Sequence, residues 1–309
     1  MRGMLRIAVV VGGIVLAGCS GGGGSGAATS PGGAASEPGG PRIVSTVPAA
    51  TLNLVEIGAA DRLVGVTRYD VLYLPAAQQG LPVVGDYETM DLERLVKLHP
   101  TAVVVQTAAA RMSGRLRELA AAHQMEVVNI QLNTLDDLWR TVAVLGRISG
   151  RQAEAERAIW EAQGQLAEIR RETAAEKPVR VLYALSEDPV MIAGGKTFLD
   201  EMLTAAGGEN VGASVGEGYP MVGSETLVKL NPEVLLVNLA GQPAEKANDP
   251  RLEKWYRLPM DAARNHRVHL VTEGNSVMAS LDVGEQVRRL AAVLHGHDYP
   301  TSPATEAAR

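Results

Sequence analysis

Two glutamates occupy equivalent positions in an internal repeat of the sequence. Glu93-Arg-Leu-Val-Lys-Leu-His-Pro and Glu225-Thr-Leu-Val-Lys-Leu-Asn-Pro align at one constant offset, and an apolar triplet follows each copy. Carboxylates make charge-assisted hydrogen bonds with arginine, so a repeated pair could dock a partner at two equivalent points. The alternative is that each is a solvated residue near the start of a helix, where the helix dipole favours a carboxylate.

Three tyrosines are candidates for ligand contact. Aromatic residues make up only 4% of the chain, yet Tyr69, Tyr87 and Tyr219 all fall in segments predicted to be loops. Tyrosine offers a broad, rigid apolar surface with one polar group, which suits a flat ligand. The alternative is that these rings anchor their loops by packing. Arg68 and Arg111 could meet an anionic ligand, although isolated loop arginines are more often solvated.

Cys19 is the single cysteine of the chain, which excludes an internal disulfide, a cysteine-based metal cluster and a cysteine nucleophile in the folded part. Arg2 and Arg6 precede an apolar run at 7–16 that is shorter than the roughly 20 residues needed to span a bilayer. The run ends in Leu-Ala-Gly-Cys, which resembles the cleavage site of a bacterial lipoprotein signal. We therefore expect Cys19 to be lipidated and to hold the protein at a membrane.

Other chemistries find little support in the sequence. The six histidines are scattered, and no metal site is predicted from them. We find no Gly-x-Ser-x-Gly, phosphate-loop or His-Glu-x-x-His motif, and Gly194-Gly-Lys-Thr197 is interpreted as the cap of a helix. The net charge of −6 argues against a nucleic-acid partner. The chain is therefore predicted not to be an enzyme.

The elements that position these residues alternate between strand and helix. Each repeat copy predicts a short helix stopped by proline and then a buried strand, at 102–105 and 234–237. Similar strand and helix patterns precede both copies, with strands from 42 and 179 and helices near 50–57 and 197–206. Such alternation predicts an α/β fold with two Rossmann-like lobes, each built on a parallel sheet.

One long helix is predicted to join the lobes. Between Arg151 and Ala175, apolar residues recur at steps of four and three along one helical face. The predicted organisation is a signal peptide at 1–18, the lipid anchor and a Gly/Ser/Ala/Pro tether at 19–41, and an N-terminal lobe at 42–148. The linking helix then occupies 149–177, the C-terminal lobe 178–297 and a tail 298–309.

Ligands of open parallel sheets bind outside the carboxyl ends of the strands. The segments predicted to line a cleft in this way include the loops that carry all three tyrosines. On the first lobe they are 46–51, 67–70, 85–90 and 106–111; on the second they are 186–190, 218–221, 239–242 and 273–278.

The chain resembles the cobalamin- and ferric-siderophore-binding proteins of bacterial ABC importers, the class III substrate-binding proteins. The markers are Arg42-Ile-Val-Ser-Thr-Val-Pro, Asp61-Arg-Leu-Val-Gly-Val-Thr, Leu81-Pro-Val-Val-Gly, Gly207-Gly-Glu-Asn and Tyr219-Pro-Met-Val, together with the segment from Asp91 to Pro100. The resemblance implies two lobes on a helical backbone that close only modestly. It also implies that Glu93 and Glu225 dock the permease, and that Tyr69, Tyr87 and Tyr219 contact the ligand. The segment 273–280 departs from the family, since it lacks the Trp or Arg often found there.

The expected function is that of an extracytoplasmic binding protein, anchored through Cys19. It would capture a cobalamin-type corrinoid or a ferric-siderophore chelate between the lobes and deliver it to an ABC permease with its ATPase. The alternative is a haem or free metal-ion (zinc or manganese) binding lipoprotein. No cofactor is expected apart from the transported ligand.

Overall fold

The first lobe is built on a four-stranded parallel sheet with the order β2-β1-β3-β4. The computed structural model describes residues 40–72, 74, 76–86, 89–108, 112–239, 249–272 and 275–296. Parallel neighbours need crossover connections, which the helices supply. The elements are β1 (Ile43–Ser45), α1 (Pro48–Glu56), β2 (Leu63–Gly65), α2 (Leu92–Lys97), β3 (Ala102–Val105), α3 (Gly114–Ala122), β4 (Glu126–Asn129) and α4 (Leu135–Ser149).

The second lobe has a six-stranded sheet with the order β10-β9-β5-β6-β8, and β7 also pairs with β5. Its elements are β5 (Val179–Glu187), β6 (Val190–Ile192), α6 (Phe198–Ala205), β7 (Gly208–Asn210), β8 (Met221–Val222), α7 (Ser224–Leu230), β9 (Val234–Asn238), α8 (Glu253–Tyr256), α9 (Asp261–Arg264), β10 (Val268–Val271) and α10 (Val283–His295).

This second sheet is mixed, whereas the sequence pattern predicted a parallel one. Strands β5, β7, β9 and β10 are parallel, but β6 runs antiparallel to both β5 and β8. The reason is local, because only two residues separate Glu187 from Val190. A parallel crossover needs a dozen or more residues, so this connection can only form a hairpin.

The inner strands of both sheets are buried on both faces. In β3, Ala102 and Val104 pack into one apolar core while Val103 and Val105 pack into another. In β5 the same alternation sends Val181 and Tyr183 to one face and Leu182 and Ala184 to the other. Strands covered on both sides need apolar residues at every position, which explains why they read as continuous apolar runs.

A single long helix, α5 (Gln152–Thr173), joins the lobes, as predicted. Its 22 residues correspond to about 33 Å. Ala155, Ala162, Leu166 and Ile169 are buried in a core that includes side chains of both lobes, and Ile159 packs partly buried against it. The predicted apolar stripe is therefore the face of α5 that packs against both lobes.

The internal repeat is visible in the backbone. After α2 and α7, the equivalent residues His99 and Asn231 both take the left-handed conformation, with φ of 44° and 43°. A proline follows each of them, and the chain then enters an inner strand, β3 or β9. His99 is exposed, as expected for a turn residue.

Two polar contacts hold the lobes against each other within one compact unit. The buried Asn53 of α1 donates to the carbonyl of Ala279 at 3.0 Å and accepts from the amide of Leu281 at 3.0 Å. On the other lobe's α6, Glu201 accepts from the amide of Leu135 at 2.5 Å. Leu135 begins α4, so this carboxylate also complements the positive end of a helix dipole.

Candidate functional site

The carboxyl ends of β1 and β3 border an open pocket of about 950 Å³, part of which is continuous with solvent. Thr46 and Gln106, the residues that follow these strands, line it together with Asp86 and Met112. The Thr46 hydroxyl donates to the carbonyl of Val104 at 2.9 Å, which fixes this side chain at the strand end. The pocket thus lies where the strand-end rule places a ligand.

Asp70 organises the loop that carries Tyr69. Its buried carboxylate accepts hydrogen bonds from the hydroxyls of Thr51 and Thr67, and from the Thr67 amide at 2.8 Å. Burial raises the pKa of the Asp70 carboxyl, and these hydrogen bonds oppose the rise. These hydrogen bonds hold the loop in place, while Tyr69 remains 37% exposed.

Asp86 connects two of the predicted cleft loops. It forms an ion pair with Arg68 at 2.8 Å and accepts from the amide and hydroxyl of Thr89 at 2.8 and 3.0 Å. The sequence analysis missed this role, because Arg68 and Asp86 come from different loops and share no spacing signal. Tyr87 and Arg111 lie outside the described residues.

On the second lobe, Tyr219 is held by backbone pairing. The amides of Ile192, Gly194 and Gly195 donate to the carbonyls of Pro220, Gly218 and Gly216 at 2.8 to 3.0 Å. The Tyr219 side chain is 41% exposed. Burial of its hydroxyl end raises the pKa of Tyr219, and a hydrogen bond with Thr197 opposes the rise.

The sequence analysis placed the loop that carries Tyr219 at the carboxyl end of a strand, and the structure places it elsewhere. Gly218 to Met221 leads into the amino end of the edge strand β8, so the strand-end rule does not place it. What places it is close backbone packing at Gly194, where a Cβ would lie 2.4 Å from the Gly216 carbonyl oxygen. The neighbouring Thr197 accepts from the Asp200 amide at 3.1 Å, which confirms that Gly194 to Thr197 caps a helix.

Glu93 and Glu225 are the second residues of α2 and α7, and both are exposed. Asp91 caps α2 by accepting from the Arg94 amide at 2.9 Å. Glu225 pairs with Lys229 at 2.8 Å, with 83% of its side chain exposed. The two carboxylates therefore stand in matching places on the two lobes and are accessible to a partner.

Polar contacts also occur at the carboxyl ends of β5 and β9 on the second lobe. Glu187 accepts from the indole of Trp255 at 3.2 Å and pairs with Lys254 at 3.1 Å, while Ser276 donates to Asn238 at 3.3 Å. In the described ranges, no three His, Cys, Asp or Glu side chains cluster closely enough to hold a metal ion. Cys19, the tether as far as residue 39 and the tail lie outside these ranges. No described helix is both long and apolar enough to cross a membrane.

Two α/β lobes on one helical backbone, with half-exposed tyrosines on loops of both, define a two-lobed ligand-binding protein. The profile of the periplasmic binding protein family matches residues 43–273, and the chain belongs to that family. The membership and the two-lobed fold predicted from the sequence are thereby confirmed.

Similar proteins occur in Vibrio parahaemolyticus and Bacillus subtilis. The vitamin B12-binding protein of Vibrio parahaemolyticus is 26% identical over 229 residues, which cover 74% of this chain and 79% of that protein. An uncharacterized ABC transporter substrate-binding lipoprotein of Bacillus subtilis is 25% identical over 233 residues, 74% of this chain and 71% of that one.

Solved structures share the fold at low identity. The periplasmic vitamin B12-binding protein of Vibrio cholerae has a TM-score of 0.68 at 22% identity, covering 82% of this chain and 96% of that one. A periplasmic haem-binding protein of Roseiflexus has a TM-score of 0.70 at 23% identity, covering 84% and 99%.

Proposed function

We propose that this chain captures a corrinoid of the cobalamin type, or a ferric-siderophore chelate, between its lobes and delivers it to an ABC importer. The observation that carries the proposal is the pair Tyr69 and Tyr219, one on each lobe, each held by its backbone with the ring more than a third exposed. In a chain with so few aromatic residues, such rings offer a flat ligand two rigid contact surfaces. The vitamin B12-binding relatives support the corrinoid over the chelate.

A binding titration of the full chain in detergent micelles tests this function. We expect cyanocobalamin to bind with a dissociation constant of micromolar or below, measured by calorimetry and by quenching of tryptophan fluorescence. Ferrichrome, haem and zinc or manganese ions form the comparison panel. Binding of haem or of a metal ion alone would favour the alternative function, and binding of no panel member would contradict the proposal. Incubation with each ligand should return it unchanged, since the role proposed is binding without catalysis.

The proposal includes an extracytoplasmic location and a lipid anchor at Cys19. The Bacillus subtilis relative, which is described as a lipoprotein, supports the anchor. The boundaries predicted above go with it: signal peptide 1–18, tether 19–41, lobes 42–148 and 178–297 with the helix 149–177 between them, and tail 298–309.

The anchor has a direct test. Changing Cys19 to Ser should move the protein from the membrane to the soluble fraction without altering its melting temperature, because the tether composition cannot pack into a core. Cell fractionation and circular dichroism measure the two outcomes. A variant that stays in the membrane fraction, or that melts earlier, would contradict the anchor.

A further inference from the structure

The two helices that carry Glu93 and Glu225 are short and have few buried side chains. Helix α2 has six residues and α7 has seven, and each has a single buried side chain, Leu95 or Leu227. An isolated helix needs about 12–15 residues to persist in water, so contacts with the rest of the lobe must hold both helices in place. One buried leucine attaches such a helix to the core but does not by itself fix its tilt.

An arginine at the start of each lobe binds the end of its helix. Arg42, which precedes β1, donates from its guanidinium to the Leu98 carbonyl at 2.7 and 3.2 Å and to the His99 carbonyl at 3.2 Å. Arg180 of β5 donates in the same way to the Leu230 carbonyl at 2.6 Å. The last carbonyls of a helix lack partners within it, and the helix dipole favours a positive charge there. Each arginine therefore ties the end of α2 or α7 to a strand of the sheet.

The two arginine contacts are equivalent in space, although the arginines lie outside the sequence repeat. The Thr101 amide donates to the Arg42 carbonyl at 2.7 Å, and the Thr101 hydroxyl accepts from the Arg42 amide at 2.9 Å. The Glu233 amide donates to the Arg180 carbonyl at 2.8 Å, and the Glu233 carboxylate accepts from the Arg180 amide at 3.1 Å. The arginines precede these partners by 59 and 53 residues, so no constant offset relates them in the sequence.

We propose that Arg42 and Arg180 are positioning residues for docking to the permease. The proposal rests on the proposed function, because it takes Glu93 and Glu225 as the contacts of the permease. Each arginine binds a carbonyl five residues after the glutamate of its lobe, so it fixes the tilt of the helix and with it the place of the carboxylate. A partner that engages both lobes at once binds best when both carboxylates are already in place.

The first lobe depends more on its arginine than the second lobe does. Arg42 makes three guanidinium hydrogen bonds to the end of α2, whereas Arg180 makes one to the end of α7. The turn after α7 is also held by Asn231, which donates to the Asp261 carboxylate and accepts from the Asp261 amide, both at 2.8 Å. Loss of Arg42 should therefore displace its glutamate more than loss of Arg180.

Spin labels at the two docking positions measure this effect on the protein alone. Glu93→Cys and Glu225→Cys are introduced together with Cys19→Ser, which leaves no other cysteine to label. Double electron–electron resonance then gives the distribution of distances between the labels. We expect Arg42→Met to broaden this distribution about twofold and Arg180→Met to broaden it less, because each helix end can then move. Unchanged distributions in both methionine variants would overturn the proposal.

The controls for the spin-label measurement are conservative and distant changes of arginine. Arg42→Lys keeps the charge and one donor at the end of α2, so it should restore part of the narrow distribution. Arg140→Met on α4 and Arg257→Met after α8 change arginines whose side chains are more than 70% exposed, and they should leave it unaltered. Equal broadening by the control variants and by Arg42→Met would overturn the proposal.

Uptake of radioactively labelled cyanocobalamin by cells distinguishes positioning from a general loss of stability. Arg180→Met should add nothing to Glu225→Ala, because the carboxylate that it positions is already gone. The same Arg180→Met change should lower the uptake that remains in Glu93→Ala by about fivefold, because docking there depends on the second lobe. Equal losses in the two backgrounds would overturn the proposal. The purified Arg180→Met variant should bind cyanocobalamin within about twofold of the unmutated chain.

The uptake test needs Arg180→Met alone, so it stands even if Arg42→Met fails to fold. Absence of cyanocobalamin uptake by the unmutated chain would contradict the proposed function, and normal uptake by the Glu93/Glu225 double alanine variant would contradict docking. Either result would also overturn the role of the arginines in docking. The spin-label distances separate these failures, since they measure the hold of the arginines on α2 and α7 without a permease.

Discussion

The backbone around Tyr219 is fixed by hydrogen bonds, while its ring remains accessible for contact with a ligand. Its backbone neighbours are paired with residues 192–195, while 41% of its side chain faces solvent. Removing the ring should therefore cost the fold little. A rigid aromatic surface loses little conformational freedom when a ligand covers it, so most of its contact energy is available for binding.

Tyr219→Ala is expected to weaken cobalamin binding about thirtyfold, since loss of an aromatic anchor commonly costs about 2 kcal/mol. Tyr219→Phe, which keeps the ring, should stay within about fivefold. Trp160→Ala is the matched control, because Trp160 is 76% exposed on the linking helix, away from both loops. Tyr87→Ala should resemble Tyr219→Ala. Unchanged calorimetric affinity in both tyrosine variants would place the ligand contacts elsewhere.

At the scale of elements, Gly194 controls the loop that carries Tyr219. A Cβ there would approach the Gly216 carbonyl oxygen to 2.4 Å and the Gly218 oxygen to 2.9 Å. Gly194→Ala should lower the free energy of unfolding by about 1–3 kcal/mol, the usual range for overpacking, and weaken ligand binding by displacing the loop.

Gly164→Ala is the control for this substitution. Gly164 lies within α5 with open space around its missing Cβ, so alanine should stabilise the protein by about 0.5–1 kcal/mol through helix propensity. Urea unfolding of both variants measures the difference. Equal effects at the two positions would show that backbone packing does not fix the Tyr219 loop.

Local sequence patterns predicted some elements closely and could not predict others. The strand at Ala102–Val105 has the predicted bounds, and α5 lies inside the predicted 149–177, starting three residues later and ending four earlier, because apolar runs and helical periodicity are local signals. Helix α1 begins at Pro48, earlier than the predicted start near Ala50, since proline is well suited to the first turn of a helix.

Contacts between residues that are far apart in the sequence could not be predicted from local sequence patterns. The pairing of Gly194 with Gly218 and the Arg68–Asp86 ion pair each join separate loops. Asp70 had a partial signal in its spacing from Thr67, which is typical of a local side-chain to backbone bond. Asn53 also had one, as a polar residue between two leucines of α1, but its partner lies on the other lobe.

At the scale of the whole molecule, Asn53 is the buried link between the lobes. Asn53→Ala removes the partners of the Ala279 carbonyl and the Leu281 amide, and it should lower the free energy of unfolding by about 2–3 kcal/mol. Asn133→Ala, at an exposed position before α4, should change it by less than about 0.5 kcal/mol. Denaturant unfolding measures both, and similar values would mean that Asn53 does not hold the lobes together.

The matching places of Glu93 and Glu225 suit a partner that contacts both lobes at once. Each carboxylate lies in the first turn of a helix that leads into an inner strand, so the rigid sheets fix the separation of the two. The exposed pair of Glu225 with Lys229 is weak enough to be exchanged for a permease arginine. Docking at both points would orient the cleft relative to the permease.

If both glutamates dock the permease, replacing both with Ala should abolish uptake in cells. The ligand affinity of the purified double variant should stay within about threefold, because neither carboxylate lies among the proposed ligand contacts. Single changes should leave one anchored lobe and partial uptake, and charge reversal to Lys should be worse than Ala because like charges then repel. Glu156→Ala with Glu161→Ala, two exposed positions on the linking helix, provides the control and should transport normally. Normal uptake by the Glu93/Glu225 double variant would remove the docking role, and lost ligand affinity would place both residues in the cleft.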